Sequence, residues 1–240
     1  MRHYSQAFIH LQMQFAEKLS ALLNIDLGET LAEHTVLRHL LAVSISRADQ
    51  SDPVWQQFVR GCKAQPAPTE WAYAFYKRHA APDQEETKPR FGCFTFAYPF
   101  RGTPVVRLHF ENLTKQSVLK SAQINERKAE LRALFAYVRQ HHPEAKRVRG
   151  GSWLYNIAAY RRLFPDEYIK TAEGVGYETG FFALWGQFLR ADGDVHMVQA
   201  AQFLTNIERQ TTEDGCLHCF PYEVLRPECS IEVFNSFYSI

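Results

Sequence analysis

Long apolar runs are missing from this 240-residue chain: nowhere do about 18 apolar residues follow one another, so no membrane-spanning helix is expected. The first 25 residues also lack the continuous apolar stretch behind a basic start that a secretory leader needs. There Phe8, Leu11, Phe15, Leu19 and Leu22 recur at helical spacing, with Gln6, Gln12, Gln14, Glu17 and Lys18 between them. Neither sign of charge dominates. Lys and Arg number 27 against 26 Asp and Glu, a formal charge of +1, which argues against a broad basic face for nucleic acid. Cysteine is sparse and odd in number: Cys62, Cys93, Cys216, Cys219 and Cys229 suit free thiols in a reducing cytoplasm better than a disulfide framework.

Several catalytic signatures are absent as well. No Gly-x-Ser-x-Gly elbow exists for a serine hydrolase, and no Walker loop for a nucleotide phosphatase. Gly174-Val175-Gly176 carries Thr179 where a dinucleotide fingerprint wants its third glycine. Internal repeats and low-complexity tracts are lacking too.

What the chain does have is core material. Hydrophobic residues make up 46% and aromatic residues 14%, enough to build a core without disulfide or metal. The first third reads as helices. Glu29–Ser46 carries Leu31, Val36, Leu37, Leu40, Leu41 and Ile45; Ser51 is a candidate N-cap ahead of Pro53; Thr69 caps a further helix with Trp71, Phe75 and Tyr76. Residues 81–90, with Pro82, Pro89 and a charged middle, form an expected linker between a helical unit at 1–80 and an α+β domain at 91–240.

Past that point the period becomes two. Phe94, Phe96 and Tyr98 alternate with Thr95 and Ala97, then Val106, Leu108 and Phe110 oppose Arg107, His109 and Glu111, which predicts a hairpin. A long helix follows over about 115–141, stopped by Pro143. Residues 147–153 read as a short strand, and 156–164 as a short helix. Phe181 to Phe188 suggests another helix, and Asp194 a cap for the one after. Cys216–Val224 and Ile231–Tyr238 look extended, although Phe234, Phe237 and Tyr238 would also suit a terminal helix.

The densest local cluster is Arg147-Val148-Arg149-Gly150-Gly151-Ser152-Trp153-Leu154-Tyr155-Asn156, with Arg161 and Arg162 close behind. Paired glycines free the backbone for close approach, and the arginines can meet an anion. Candidate ligand contacts are therefore Arg149, Gly150, Gly151, Ser152, Trp153, Asn156 and Arg161. The plainer reading of the same residues is a strand-to-helix turn. Acyl transfer to an amine needs a base and an acid. His109 and Glu111, on one strand face, are candidates for the base and Tyr155 for the acid, while a solvated strand face is the bland alternative for the first two.

Arg147-x-x-Gly150-x-Ser152 resembles the pyrophosphate loop of acetyl-coenzyme A-dependent acetyltransferases. More broadly, Val106-Arg107-Leu108-His109-Phe110, the helix ending at His142-Pro143, Gly151-Ser152-Trp153-Leu154 and Arg162-Leu163-Phe164-Pro165 resemble the C-terminal GNAT-like domain of some bacterial acyltransferases, over about residues 105–175. That family carries a second leucine and a proline soon after Trp-Leu, where this chain has Tyr155 and Asn156. The resemblance implies a GNAT-like mixed sheet with packed helices and an acyl-transfer pathway, with coenzyme A or an acyl thioester as ligand. It implies no catalytic residue.

Cys216-Leu217-His218-Cys219 is the one metal-like pattern, with Cys229 and His196 as further donors for a zinc-stabilised module. A second Cys-x-x-Cys is lacking and adjacent strand residues face opposite ways, so no metal ligand is assigned. Three functions stay open: acyl transfer or binding of an acyl or aminoacyl ligand in a cleft near Arg149 to Asn156, a non-catalytic docking module with an aromatic surface, and a zinc-stabilised binding module.

Overall fold

A computed structural model describes residues 4–41, 43, 50–80, 89–112, 114 and 116–240. Helices α1 (Gln6–Leu23), α2 (Leu27–His34), α3 (Leu37–Leu40), α4 (Pro53–Ala64) and α5 (Pro68–His79) come first. Strands β1 (Phe94–Ala97) and β2 (Val105–Phe110) lead to α6 (Ile124–His141), β3 (Arg147–Arg149), α7 (Ala158–Arg161), α8 (Asp166–Lys170) and β4 (Glu173–Gly174). Then follow α9 (Phe182–Trp185), α10 (Met197–Glu208), α11 (Glu213–Leu217), β5 (Leu225–Arg226), β6 (Glu228–Ser230) and α12 (Ile231–Tyr238).

The fold is α+β and divides into two compact units. One holds Met1–Gln84 with Tyr177–Pro221, the other Glu85–Gly176 with Tyr222–Ile240. The sheet domain expected at 91–240 thus contributes to both. Of the expected linker, residues 81–88 lie outside the described residues.

In the first unit α1 is apolar on most sides, with Phe8, Ile9, Leu11, Met13, Phe15, Ala16 and Leu19 all buried. A helix of this kind must be surrounded rather than laid on a surface. The Phe15 ring meets Trp185 at 5.5 Å, Phe203 at 5.8 Å and Phe220 at 5.3 Å, which ties residues 177–221 to the N-terminal helices. Glu29–Ser46 is not one helix. Thr35 turns the backbone extended, its hydroxyl donating to the Leu31 carbonyl at 2.5 Å, and buried Gln12 accepts the Val36 N–H at 2.8 Å. The Gln12 side chain thus holds the junction of α2 and α3 from 24 residues away.

Other boundaries move for similar local reasons. Asp52, not Ser51, caps α4, accepting from Val54 and Trp55 at 2.8 and 3.1 Å. α5 starts on Pro68, one residue ahead of Thr69. At Gly61 a Cβ would lie 1.9 Å from the Trp71 ring, so α4 and α5 can approach only because glycine stands there. Cys216 is helical rather than extended: Thr212 accepts the Gly215 N–H at 3.1 Å and nucleates α11. His196 occupies the cap position of α10, while Asp194 accepts the Val195 N–H at 2.8 Å.

The second unit is built on a sheet of order β1-β2-β3-β6. β1 and β2 form the expected antiparallel hairpin, with Phe96 opposite Leu108 and Ala97 opposite Arg107. β3 then joins β2 in parallel, Arg107 opposite Arg149, after the crossover through α6. β6 closes the other side antiparallel, Arg149 opposite Glu228. Phe94, Phe96, Val106, Leu108 and Val148 point to one face and are buried under Leu131, Leu134, Phe135 and Val138 of α6 and Phe234 of α12. Each such side chain contributes about 1.5–3 kcal/mol of burial. α6 begins at Ile124 rather than near 115, after a single turn of 3-10 helix at Ser121–Gln123. Ser230 caps α12 through the Glu232 N–H at 3.3 Å, settling the terminal segment as helix.

A buried polar knot fastens α6 to the start of β1. Arg127 reaches the Cys93 sulfur at 2.6 Å and Glu130 at 2.8 Å, while Glu130 accepts the Cys93 N–H at 3.1 Å. Gly92 takes a positive φ of 57° beneath the Glu130 carboxylate, where a Cβ would clash. Among the described residues, no helix is long and apolar enough to cross a membrane.

Candidate functional site

The opposite face of the sheet is polar. Strand alternation puts Arg107 and His109 of β2 there, with Arg147 and Arg149 of β3 and Glu228 of β6 beside them. The Phe100 ring lies over this face, 4.8 Å from the Arg107 guanidinium and 6.0 Å from that of Arg149, with Arg101 at 5.4 Å. Beyond β3 the chain stays extended: Gly150 N–H donates to Pro227 at 2.9 Å, and Ser152 pairs with Leu225 in both directions at 3.1 and 3.2 Å. One step from that bridge, the antiparallel register sets Arg226 across from Gly151.

The two glycines serve opposite faces. Gly150 looks into the core, where an added Cβ would sit 2.2 Å from the Tyr155 hydroxyl oxygen. Gly151 looks to the polar face, where among the described residues only the Arg107 guanidinium comes within 4 Å of such a Cβ, at 3.4 Å. The core side of the glycine pair is filled by tyrosine. The open position lies over Gly151, with Arg107, Arg149 and Arg226 around it.

The expected site residues separate accordingly. Arg149, Gly151 and Trp153 share the polar side, and His109 lies on it too, exposed, two residues along β2 from Arg107. Glu111 pairs with Arg90 at 3.0 Å at the far end of the strand. Tyr155 is not placed to act as an acid. It is 2% exposed, its hydroxyl bonds that of Tyr168 at 2.9 Å, and burial, followed by the neighbouring Tyr168, holds its phenol well above the usual tyrosine range. Gly150 is a packing residue. Ser152 accepts the Leu154 N–H at 3.1 Å and caps a turn of 3-10 helix, Trp153–Asn156. Asn156 donates to the carbonyls of Trp153 at 2.8 Å and Glu223 at 3.0 Å, pinning that turn to the next strand. Arg161 ends α7, exposed and outside the sheet.

Sequence reasoning missed Arg107, Arg226 and Phe100 as members of one group. Arg107 had a signal, since it alternates with His109 on the outward side of β2. Arg226 had none, because its place depends on a pairing between segments about 75 residues apart.

Electrostatics favour an anion here. Glu228 bridges Arg147 and Arg149 in close ion pairs; burial pushes its carboxyl up, but the two guanidinium groups prevail and hold it below the ordinary value. Arg147 and Arg149 share this carboxylate, and Glu173 of β4 stands opposite Arg226 of β5, so the face carries four arginines and two glutamates. Arginine's planar fork suits carboxylate or phosphate oxygens in pairs. His109 lies exposed on the same strand face beside them.

The cysteine pattern leads elsewhere. Cys216 is buried and the Cys219 thiol donates to the Gly215 carbonyl at 3.3 Å within one helical turn, whereas Cys229 belongs to the second unit. Burial raises all three thiols, Cys229 to about 11. Among the described residues, no group of three His, Cys, Asp or Glu side chains could hold a metal ion. Most aromatic residues fill the two cores, while Phe181, Tyr222 and Phe237 remain about 40% exposed. No protein-family model, curated protein or solved structure matches the chain.

Proposed function

We propose that the second unit binds an anionic small molecule over Gly151, held by Arg107, Arg149 and Arg226. The observation that carries this reading is the side-chain-free position at Gly151 on a sheet face where register gathers arginines from three strands. A carboxylate or phosphate placed there replaces water with charge-assisted hydrogen bonds. The GNAT-like resemblance adds the ligand class, an acyl thioester of coenzyme A, and the reaction class, acyl transfer. In that reaction His109 is the base, because it is exposed on the same strand face; Tyr155 is enclosed and takes no part.

Thermal melting of the full chain with coenzyme A, and separately with inorganic pyrophosphate, tests the reading. A ligand that binds only the folded state raises the midpoint with concentration. Both should raise it, and Arg149→Ala should abolish most of the rise. A midpoint unmoved by either compound up to millimolar concentration overturns the proposal.

A further inference from the structure

We infer that an open groove in the first unit, between α1 and the first turn of α5, binds a small aliphatic amine with its ammonium group on the Glu17 carboxylate. The groove is a cavity of about 520 Å³, inside the roughly 300–1,000 Å³ range of small-molecule sites. One wall is a polar stripe on α1. Gln6, His10, Gln14 and Glu17 follow one another at three- and four-residue steps, which aligns them along one side of the helix, while most of its other side chains are buried. The opposite wall is the chain from Ala67 to Glu70. His10 Nδ1 and Thr69 Oγ1 lie 3.3 Å apart and join the two walls.

Glu17 is the group that lacks a counter-charge. It is half-buried, and the Gln14 amide donates to its Oε2 at 2.8 Å. Among the described residues the lining holds two carboxylates, Glu17 and Glu70, with His10 and no lysine or arginine. Burial raises the Glu17 carboxyl above its ordinary value, outweighing the opposite pull of His10 and Gln14. A carboxylate withdrawn from water is costly unless a cation meets it, and a cation from solution offsets that cost.

The rest of the lining selects the kind of cation. Among the described residues no three side chains are grouped to hold a metal ion. No aromatic ring lines the groove, so a quaternary ammonium finds no cage. Gln14 already engages one Glu17 oxygen, which leaves the paired fork of a guanidinium half matched. A primary ammonium is a compact charge with three donors, for which the other Glu17 oxygen and the Thr69 hydroxyl are acceptors. Ala7, Ala67 and Pro68 offer its methylene groups an apolar surface.

Amide NMR titration of the full chain with n-butylamine hydrochloride, n-butanol and sodium chloride, at matched ionic strength for the two salts, tests the assignment. Butylamine should move the amide signals of α1 and of Thr69 to Trp71 saturably, and neither butanol nor sodium chloride should do so. Glu17→Gln keeps the shape and removes the charge, so it should weaken butylamine binding at least about tenfold. Equal shifts from butanol or sodium chloride, no shift with butylamine at high millimolar concentration, or undiminished affinity in the folded variant would each overturn the amine site.

Discussion

Gly150 and Tyr155 occupy the same space: a Cβ on the glycine would meet the tyrosine hydroxyl oxygen at 2.2 Å and two ring carbons at 2.5 Å. The contact explains why adjacent glycines have different duties. One admits a core ring and the other leaves a position open among arginines.

Substitutions at the pair should therefore diverge. Gly150→Ala overpacks a filled site and should cost about 1–3 kcal/mol. Gly151→Ala meets only the mobile end of Arg107 at 3.4 Å and should change stability little. Urea midpoints of the two variants measured side by side check this, and equal losses would contradict the assignment of the two faces.

Tyr155→Phe should lower stability by about 1 kcal/mol, since it strips the buried Tyr168 hydroxyl of its 2.9 Å partner. The rise in melting point with coenzyme A should survive unchanged. Loss of ligand response in a variant of near-native stability would return Tyr155 to the site.

Glu228 should make stability fall in acid. Its folded carboxyl titrates below the usual glutamate value of about 4.3, so its ion pairs support the fold above that pH and are lost as pH drops through the lower folded value. Glu228→Gln should flatten this part of the acid limb. Parallel urea titrations from pH 6 downward give the comparison, and identical slopes for both proteins would remove Glu228 from the account.

Thiol reactivity should follow burial. Desolvation pushes Cys62 up to about 12, with Glu17 adding to the effect, whereas Cys219 and Cys229 are half-buried. At pH 8 the native chain should alkylate at Cys219 and Cys229 before Cys62, as peptide mass mapping over time would show. Early labelling of Cys62 would mean that α4 opens readily.

Patterns with short range were legible in the sequence. Alternation at Phe94–Tyr98 and Val106–Phe110 announced the hairpin, and Pro143 the end of α6. Features decided by distant partners were not. The Gln12 side chain holds the α2–α3 junction at Val36, and Phe15 gathers Trp185, Phe203 and Phe220 into the first unit. The site divides in the same way. Arg149 and the glycines stand out in the chain, but their two faces, and the arrival of Arg107 and Arg226, depend on strand pairing that no local spacing encodes. Cys216 misled because Thr212, three residues before Gly215, was not read as a cap.

Pyrophosphate affinity across three proteins tests the arginine cradle most directly. Titrated at one ionic strength, Glu228→Gln should bind several-fold more tightly than the unaltered chain, because no carboxylate then competes for Arg147 and Arg149, and Arg149→Ala should bind at least about tenfold more weakly. Indistinguishable affinities in all three would place the anion elsewhere.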